Sequence, residues 1–425
     1  MSHPGADAGA QSAHGVKGPS SAAPDSPDTA DQPGGPTQPH SLGYLFPVSF
    51  LSGTIIIALG PILDPVLRDL DIPLSLGGLL AAGFAGGRVL GLLLLNMGLA
   101  RVPLKWLVVG GASFQAIGLA LAALTGSLWS LVAALALVGV AATIPVIVPA
   151  IWVGAYAKNS TERAMMLTLV FFAGGVLATP LAIGAALALG ADWRWIIAGE
   201  AAFAFLTALA FLAVPLADVP GRENIRLRQF RELLRFDPRL LTLVLAGMFF
   251  YIGAEHILNI WLAEFQIQIF GTEQGTAALA LTLFFGGMMG GRFITVPLTR
   301  RVVASRMLAV SALLLAVFAV LTALAPNLIV AELTIFLAGL GASPSYPLLS
   351  SYINRFPVKY SGLVYSLITL SVIVSGALFA YVVGPAAEAM GMRFALALSA
   401  GPALVLVVLT FFLPRKPLGR SVSDD

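Results

Sequence analysis

The sequence predicts an all-α membrane protein with twelve transmembrane helices in two pseudo-symmetric six-helix bundles. Three observations carry that prediction: the overall hydropathy, a series of apolar runs of spanning length, and a lopsided distribution of lysine and arginine. Mean hydropathy is +0.91, with 58% hydrophobic and 11% charged residues, against roughly 25% charged in soluble domains. About 20 apolar residues cross the hydrocarbon core of a bilayer. Runs of that order lie at about 43–67, 74–99, 105–125, 128–156, 164–189 and 193–216, and again at about 240–266, 275–299, 303–325, 327–350, 360–384 and 392–414.

Lysine and arginine accumulate in loops on the cytoplasmic side of a membrane. With the N-terminus inside, nineteen basic residues fall on that side, from Lys17 to Arg420, and three outside: Arg68, Arg194 and Arg393. Arg88 and Arg292 lie within spans. The bias places both termini in the cytoplasm and predicts a multi-pass protein of the cytoplasmic membrane. The formal net charge of +3 is thus a topology signal, and nucleic acid is not an expected partner.

Residues 1–40 are rich in Ser, Pro, Gly and Ala and lack an apolar core, which reads as a disordered cytoplasmic tail and not a cleavable signal. The bundles occupy 41–216 and 240–414. Between them, 217–239 forms a cytoplasmic linker, and 415–425 is a second tail. In the linker, Leu227, Phe230, Leu233 and Leu234 recur at helical spacing among arginines; a helix lying on the anionic inner leaflet and a solvated connection both fit that pattern. Cysteine is absent, and His256 is the only histidine beyond the tail. No metal or other cofactor is expected. No zinc-protease, nucleophile-elbow or phosphate-loop motif is present, so an enzyme is not expected either.

The halves repeat one another. Gly83, Gly86, Gly87 and Arg88 match Gly287, Gly290, Gly291 and Arg292; Leu137, Gly139 and Ala142 match Leu337, Gly339 and Ala342; Trp193-Arg194-Trp195 answers Met392-Arg393-Phe394. On this pairing Arg88 and Arg292 occupy equivalent places. Related halves with a substrate site at their interface are a common design of secondary transporters.

Ionisable groups inside spans are retained where they face a packed interior or a wet cavity. In the seventh span Tyr251, Glu255 and Asn259 are one turn apart and share a face. They are candidates for binding solute hydroxyls or carrying a proton, the alternative being a buried ion pair. His256 points about 100° away, toward either packing or proton relay. Glu264, near the outer interface, is expected to snorkel. Arg88 and Arg292 could grip an anion from two sides or pair with carboxylates, with Glu200 as a possible partner. Glycines at four-residue spacing suit close helix approach. Pro145, Pro149, Pro344 and Pro347 interrupt corresponding spans, where opened helices serve as gates.

The run Phe250-Tyr251-Ile252-Gly253-Ala254-Glu255 followed by Trp261 resembles the seventh helix of the fucose permease and glucose/galactose transporter group of the major facilitator superfamily. Gly291-Arg292-Phe293 is similar to that group's eighth helix, Tyr346-Pro347 to its tenth, and Trp193-Arg194-Trp195 to a broader superfamily mark. The resemblance implies the major facilitator fold and an alternating-access monomer in membrane lipid, moving a sugar or polyol together with protons. Two departures stand out. The loop after the second span reads Ala100-Arg101-Val102-Pro103-Leu104-Lys105, without the superfamily's acid and glycine. Pro61 and Ile144 stand where the group's proton-coupling acids are expected. Two other functions remain open: a carrier of small organic or inorganic anions using Arg88 and Arg292, and drug efflux, for which Gly175, Pro180 and Gly184 form a partial exporter motif with Thr179 in place of a glycine.

Overall fold

In a hydrocarbon core each backbone N–H and C=O must be satisfied within its own segment, so the apolar runs become helices. The computed structural model describes residues 41–98, 101–156, 161–216, 218–219, 227–298, 301–357 and 360–414. The expected tails at 1–40 and 415–425, and most of 217–226, lie outside the described residues. Among those described, the structure is helical throughout, with no strand.

The first half comprises α1 (Ser41–Ile57), α2 (Leu59–Asp69), α3 (Leu74–Gly98), α4 (Leu104–Ala123), α5 (Leu128–Ala142), α6 (Ile144–Tyr156), α7 (Thr161–Ala188) and α8 (Trp193–Ala213). A short helix, α9 (Leu227–Phe236), leads into the second half. There follow α10 (Pro238–Phe270), α11 (Gln274–Leu298), α12 (Ala304–Ala323), α13 (Leu328–Ala342), α14 (Ser345–Ser351), α15 (Ser361–Met390), α16 (Met392–Ala397) and α17 (Ala400–Thr410). Among the described residues eleven continuous or jointed helices are long and apolar enough to span a membrane, and the pair α1–α2, bent by 46°, makes a twelfth if taken as one span.

Proline explains where spans break. Pro61 has no N–H, and its ring crowds the carbonyl four residues back. That residue is Ile57, the last of α1. Pro402 stands in the same relation to Leu398, in the joint between α16 and α17. The fourth span opens at Thr143, next to Pro145, and the tenth at Ser343–Pro344, whereas Pro149 and Pro347, also expected to interrupt these spans, lie inside α6 and α14. Side chains cap the helices that start at loops: Ser127 accepts from the Ser130 N–H at 3.3 Å and Asn327 from Val330 at 3.0 Å. Gly271 ends α10 with φ of 66°, a left-handed conformation that suits glycine.

The halves meet where α3 packs on α15, α7 on α11 and α2 on α10. Near Asp64 this seam is closed by polar and close backbone contacts. Gln274 donates to Asp64 at 2.9 Å, and the Ser75 N–H donates to Glu388 at 2.7 Å. Gly184 lies against Gly275, and Gly78 against Tyr381. Further along, the seam continues through apolar Leu92 and Ile373, and the far end of α11 is exposed from Arg292 to Val296 apart from a half-buried Thr295. In the linker, α9 docks through fully buried Leu233 and part-buried Phe230 onto the main core. Its Glu232 accepts from Tyr360 at 3.2 Å.

Candidate functional site

The repeat has a different register from the one its letters suggest. Gly87 lies against the backbone of Ala136 and Gly287 against Phe336; Gly139 lies against Phe84 and Gly339 against Phe284. Every one of these pairs is offset by 200, as are the bounds of α3 and α11, α4 and α12, and α5 and α13. The glycine-arginine match at an offset of 204 is slipped by one helical turn. Arg88 is therefore equivalent to Met288, and Arg292 to Leu92. The slip arises because glycines four apart, as at 83, 87 and 91, look alike after one turn.

Arg88 is only 8% exposed. It lines a cavity of about 70 Å³ between the halves, in which the charged or titratable side chains are Arg88 from α3, Glu200 from α8 and His256 from α10. The remaining walls are almost entirely apolar, among them Ile55, Ile62, Phe84, Leu135, Ile260 and Ile373. At roughly 10–15 Å³ per water, the cavity has room for on the order of five waters. Thr143, at the break in the fourth span, donates to the Arg88 carbonyl at 3.2 Å, which holds α3 against that joint. The Arg88 guanidinium sits 5.8 Å from the Phe84 ring centroid. Its Nε has no hydrogen-bond partner, and among the described residues it forms no ion pair. A guanidinium left unpaired among apolar walls offers planar, bidentate recognition to an anionic group. Glu200 accepts from Thr54 at 3.2 Å and is not bridged to Arg88, so the expected pairing of these two is not formed.

The candidate residues of the seventh span divide between two sides of α10. His256 and Ile260 face the cavity, with His256 within electrostatic reach of Arg88. Its ring fills the space left by Gly376, where an added Cβ would come within 2.6 Å of it. Tyr251 is fully buried, and Glu255 is within electrostatic reach of Tyr251 and Arg292. Asn259 is buried with its side-chain oxygen unpartnered, at the crossing where Gly60 of α2 meets its backbone carbonyl. The 100° step per residue sends His256, and not the Tyr251–Glu255–Asn259 face, into the cavity. Tyr346 and Tyr365 complete the polar surroundings of Arg88 and lie within electrostatic reach of it.

Glu264 does not snorkel. It is 4% exposed, accepts from Gln268 at 2.6 Å through Oε1, and faces Asp64 of α2. Asp64 was not singled out in the sequence, although its place one turn after Pro61 put it inside a bent span. Thr54 and Tyr365 have no distinctive spacing and become site residues only through contact, whereas Tyr346 already stood out beside Pro347 in the tenth span.

A bundle of a dozen spans, jointed at prolines and closed around buried charges between two related halves, is the architecture of a secondary transporter. The chain belongs to the Major Facilitator Superfamily, whose family profile matches residues 45–355. No curated protein matches it. Among solved structures it is similar to a bacterial homologue of the human lysosomal transporter Spinster in an inward-facing, unoccupied conformation, with a TM-score of 0.71 at 16% identity, covering 88% of this chain and 95% of that one. It is also similar to a D-xylose–proton symporter, at 0.72 and 13%, covering 90% and 99%. The E. coli fucose:proton symporter gives 0.61 and 18%, covering 88% and 98%. At these identities the likeness establishes the fold.

Proposed function

We propose that this protein is a proton-coupled secondary carrier of a small organic anion with an apolar body, working by alternating access as a monomer in the cytoplasmic membrane with both termini inside. The observation that carries the reading is Arg88: a buried guanidinium without an ion pair, in a cavity whose other walls are apolar. A carboxylate or similar head group would satisfy the arginine, and the isoleucine and leucine walls would cover the remainder. Closure of the seam near Asp64, with the far end of α11 exposed, supports an inward-facing state. The joints at Thr143 and Ser343–Pro344, beside Pro145, Pro149, Pro344 and Pro347, are suited to hinge the two gates.

A sugar or polyol is the second reading. Tyr251, Glu255, Tyr346 and Tyr365 cluster on the second half, helix seven resembles that of the fucose permease group, and two of the similar structures are sugar–proton symporters by name. Against it, each sugar hydroxyl left unpaired in an apolar cavity costs about 1–3 kcal/mol. Proteoliposomes with an imposed pH gradient separate the readings. The expected result is counterflow of aliphatic or aromatic carboxylates that falls at least about tenfold, or about 1.4 kcal/mol, in Arg88→Gln. Hexose counterflow that is indifferent to Arg88→Gln would reverse the assignment.

A further inference from the structure

A pair of carboxylates meets across the seam between the halves. Helices α2 and α10 run side by side, and Gly60 packs directly on the Asn259 backbone. About one turn further along each helix stand Asp64 and Glu264, 5% and 4% exposed. The two acids face one another. Asp64 holds Arg68 at 2.7 Å through Oδ1 and Gln274 of α11 at 2.9 Å through Oδ2. Glu264 uses Oε1 for Gln268, while its buried Oε2 has no hydrogen-bond partner.

The other charged groups at this end are engaged elsewhere or stand apart. Asp69 of α2 pairs with Arg194 of α8 at 2.5 Å. Glu388 of α15 accepts from the Ser75 N–H. Arg393 of α16 donates to the carbonyls of Ala323 and Ala325. Glu273, just before α11, is exposed, and Glu332 lies on α13. Arg68 is the basic group within electrostatic reach of Glu264, and its side chain is largely solvent-exposed.

We infer that Asp64 and Glu264 form a proton-operated latch: one proton shared between them holds α2 to α10 and keeps this end shut, and its loss opens it. The inference rests on the transporter reading and supplies its coupling site. Two carboxylates in contact in a buried seam repel when both are ionised, and Arg68 can neutralise only one. The unpartnered Oε2 is the atom with capacity left for a bridging proton. No covalent chemistry is involved; the proton arrives from the solvent at this end and leaves after the halves have rocked to the other state.

The absence of native cysteine allows a test that needs no substrate. Val66, two residues past Asp64 on α2, is 1% exposed and lines the cavity. In a Val66→Cys protein, labelling by a membrane-impermeant maleimide applied at this end reports its opening. Dividing each rate by that of a Leu189→Cys protein, whose cysteine is 89% exposed just after α7, at the same pH cancels the thiol's own ionisation. Between about pH 5.5 and about pH 8.5 the parent's corrected rate should rise at least about threefold, because two ionised carboxylates in contact repel. Glu264→Gln should hold it low throughout, because the amide donates permanently to Asp64. Asp64→Asn is the second variant, with the same expected result, and monodispersity in detergent verifies folding of both. A pH response in these variants equal to the parent's would overturn the latch. Labelling that tracks pH as expected in a protein that moves no solute would keep the latch and overturn the transporter reading.

Discussion

In α3, Gly87 and Gly91 lie against the backbones of Ala136 and Val140, and Arg88 follows Gly87 into the cavity. In α11, Gly287 and Gly291 hold the same places against Phe336 and Leu340, but the residue after Gly287 is Met288, and the arginine comes a turn later, at the exposed end of the helix. Helix register is set where backbones touch, because a carbonyl cannot retreat from an added Cβ as a flexible side chain can. The arginines follow whatever register the glycines impose, so the same four letters place one guanidinium in an apolar-walled cavity and the other at an exposed helix end.

The largest expected effect tests that register directly. Gly87→Leu and Gly287→Leu should each destabilise by about 3 kcal/mol or more, since the new side chain meets backbone, and should abolish the monodisperse peak in detergent. Gly86→Leu and Gly290→Leu, where nothing lies within 4 Å of an added Cβ, should leave it intact. Survival of Gly287→Leu would break the equivalence of Gly287 with Gly87 and with it the offset of 200.

A smaller effect separates the two arginines. Alongside the roughly tenfold loss expected for Arg88→Gln, Arg292→Gln should change kcat/KM in proteoliposomes by less than about threefold. Equal losses would restore the picture of two guanidinium groups gripping one solute.

The smallest effect compares the joints. Thr143 donates to the Arg88 carbonyl, whereas its counterpart Ser343 has a buried hydroxyl with no partner. Thr143→Val should therefore cost about 0.6 kcal/mol, the usual worth of such a bond between membrane helices. Ser343→Ala should cost nothing measurable, as read from thermal unfolding of the two variants side by side.

Much of the bundle was legible from residue letters alone. The apolar runs locate the spans to within a few residues, and of the four prolines expected at the two central joints Pro145 and Pro344 adjoin them, while Pro149 and Pro347 lie inside α6 and α14. The bend at Ala58 could have been read from Pro61 by the same rule. The site was legible only as a set of candidates. Arg88, Glu200 and His256 were each visible as an ionisable group in an apolar run, but their convergence on one cavity depends on how α3, α8 and α10 are rotated. Glu264 looked like a snorkelling end residue because its distance along α10 is all the sequence reveals; its burial depends on α2 lying across it.

Hydrophobic length, proline chemistry and the count of basic residues act along one chain segment at a time, so the sequence by itself determined the number of spans, their joints and the expected orientation. Which charges meet was decided only by tertiary structure. A contact such as Asp64 with Glu264 joins positions two hundred residues apart, and its existence turns on a close approach of two backbones at Gly60 and Asn259 that no local pattern encodes.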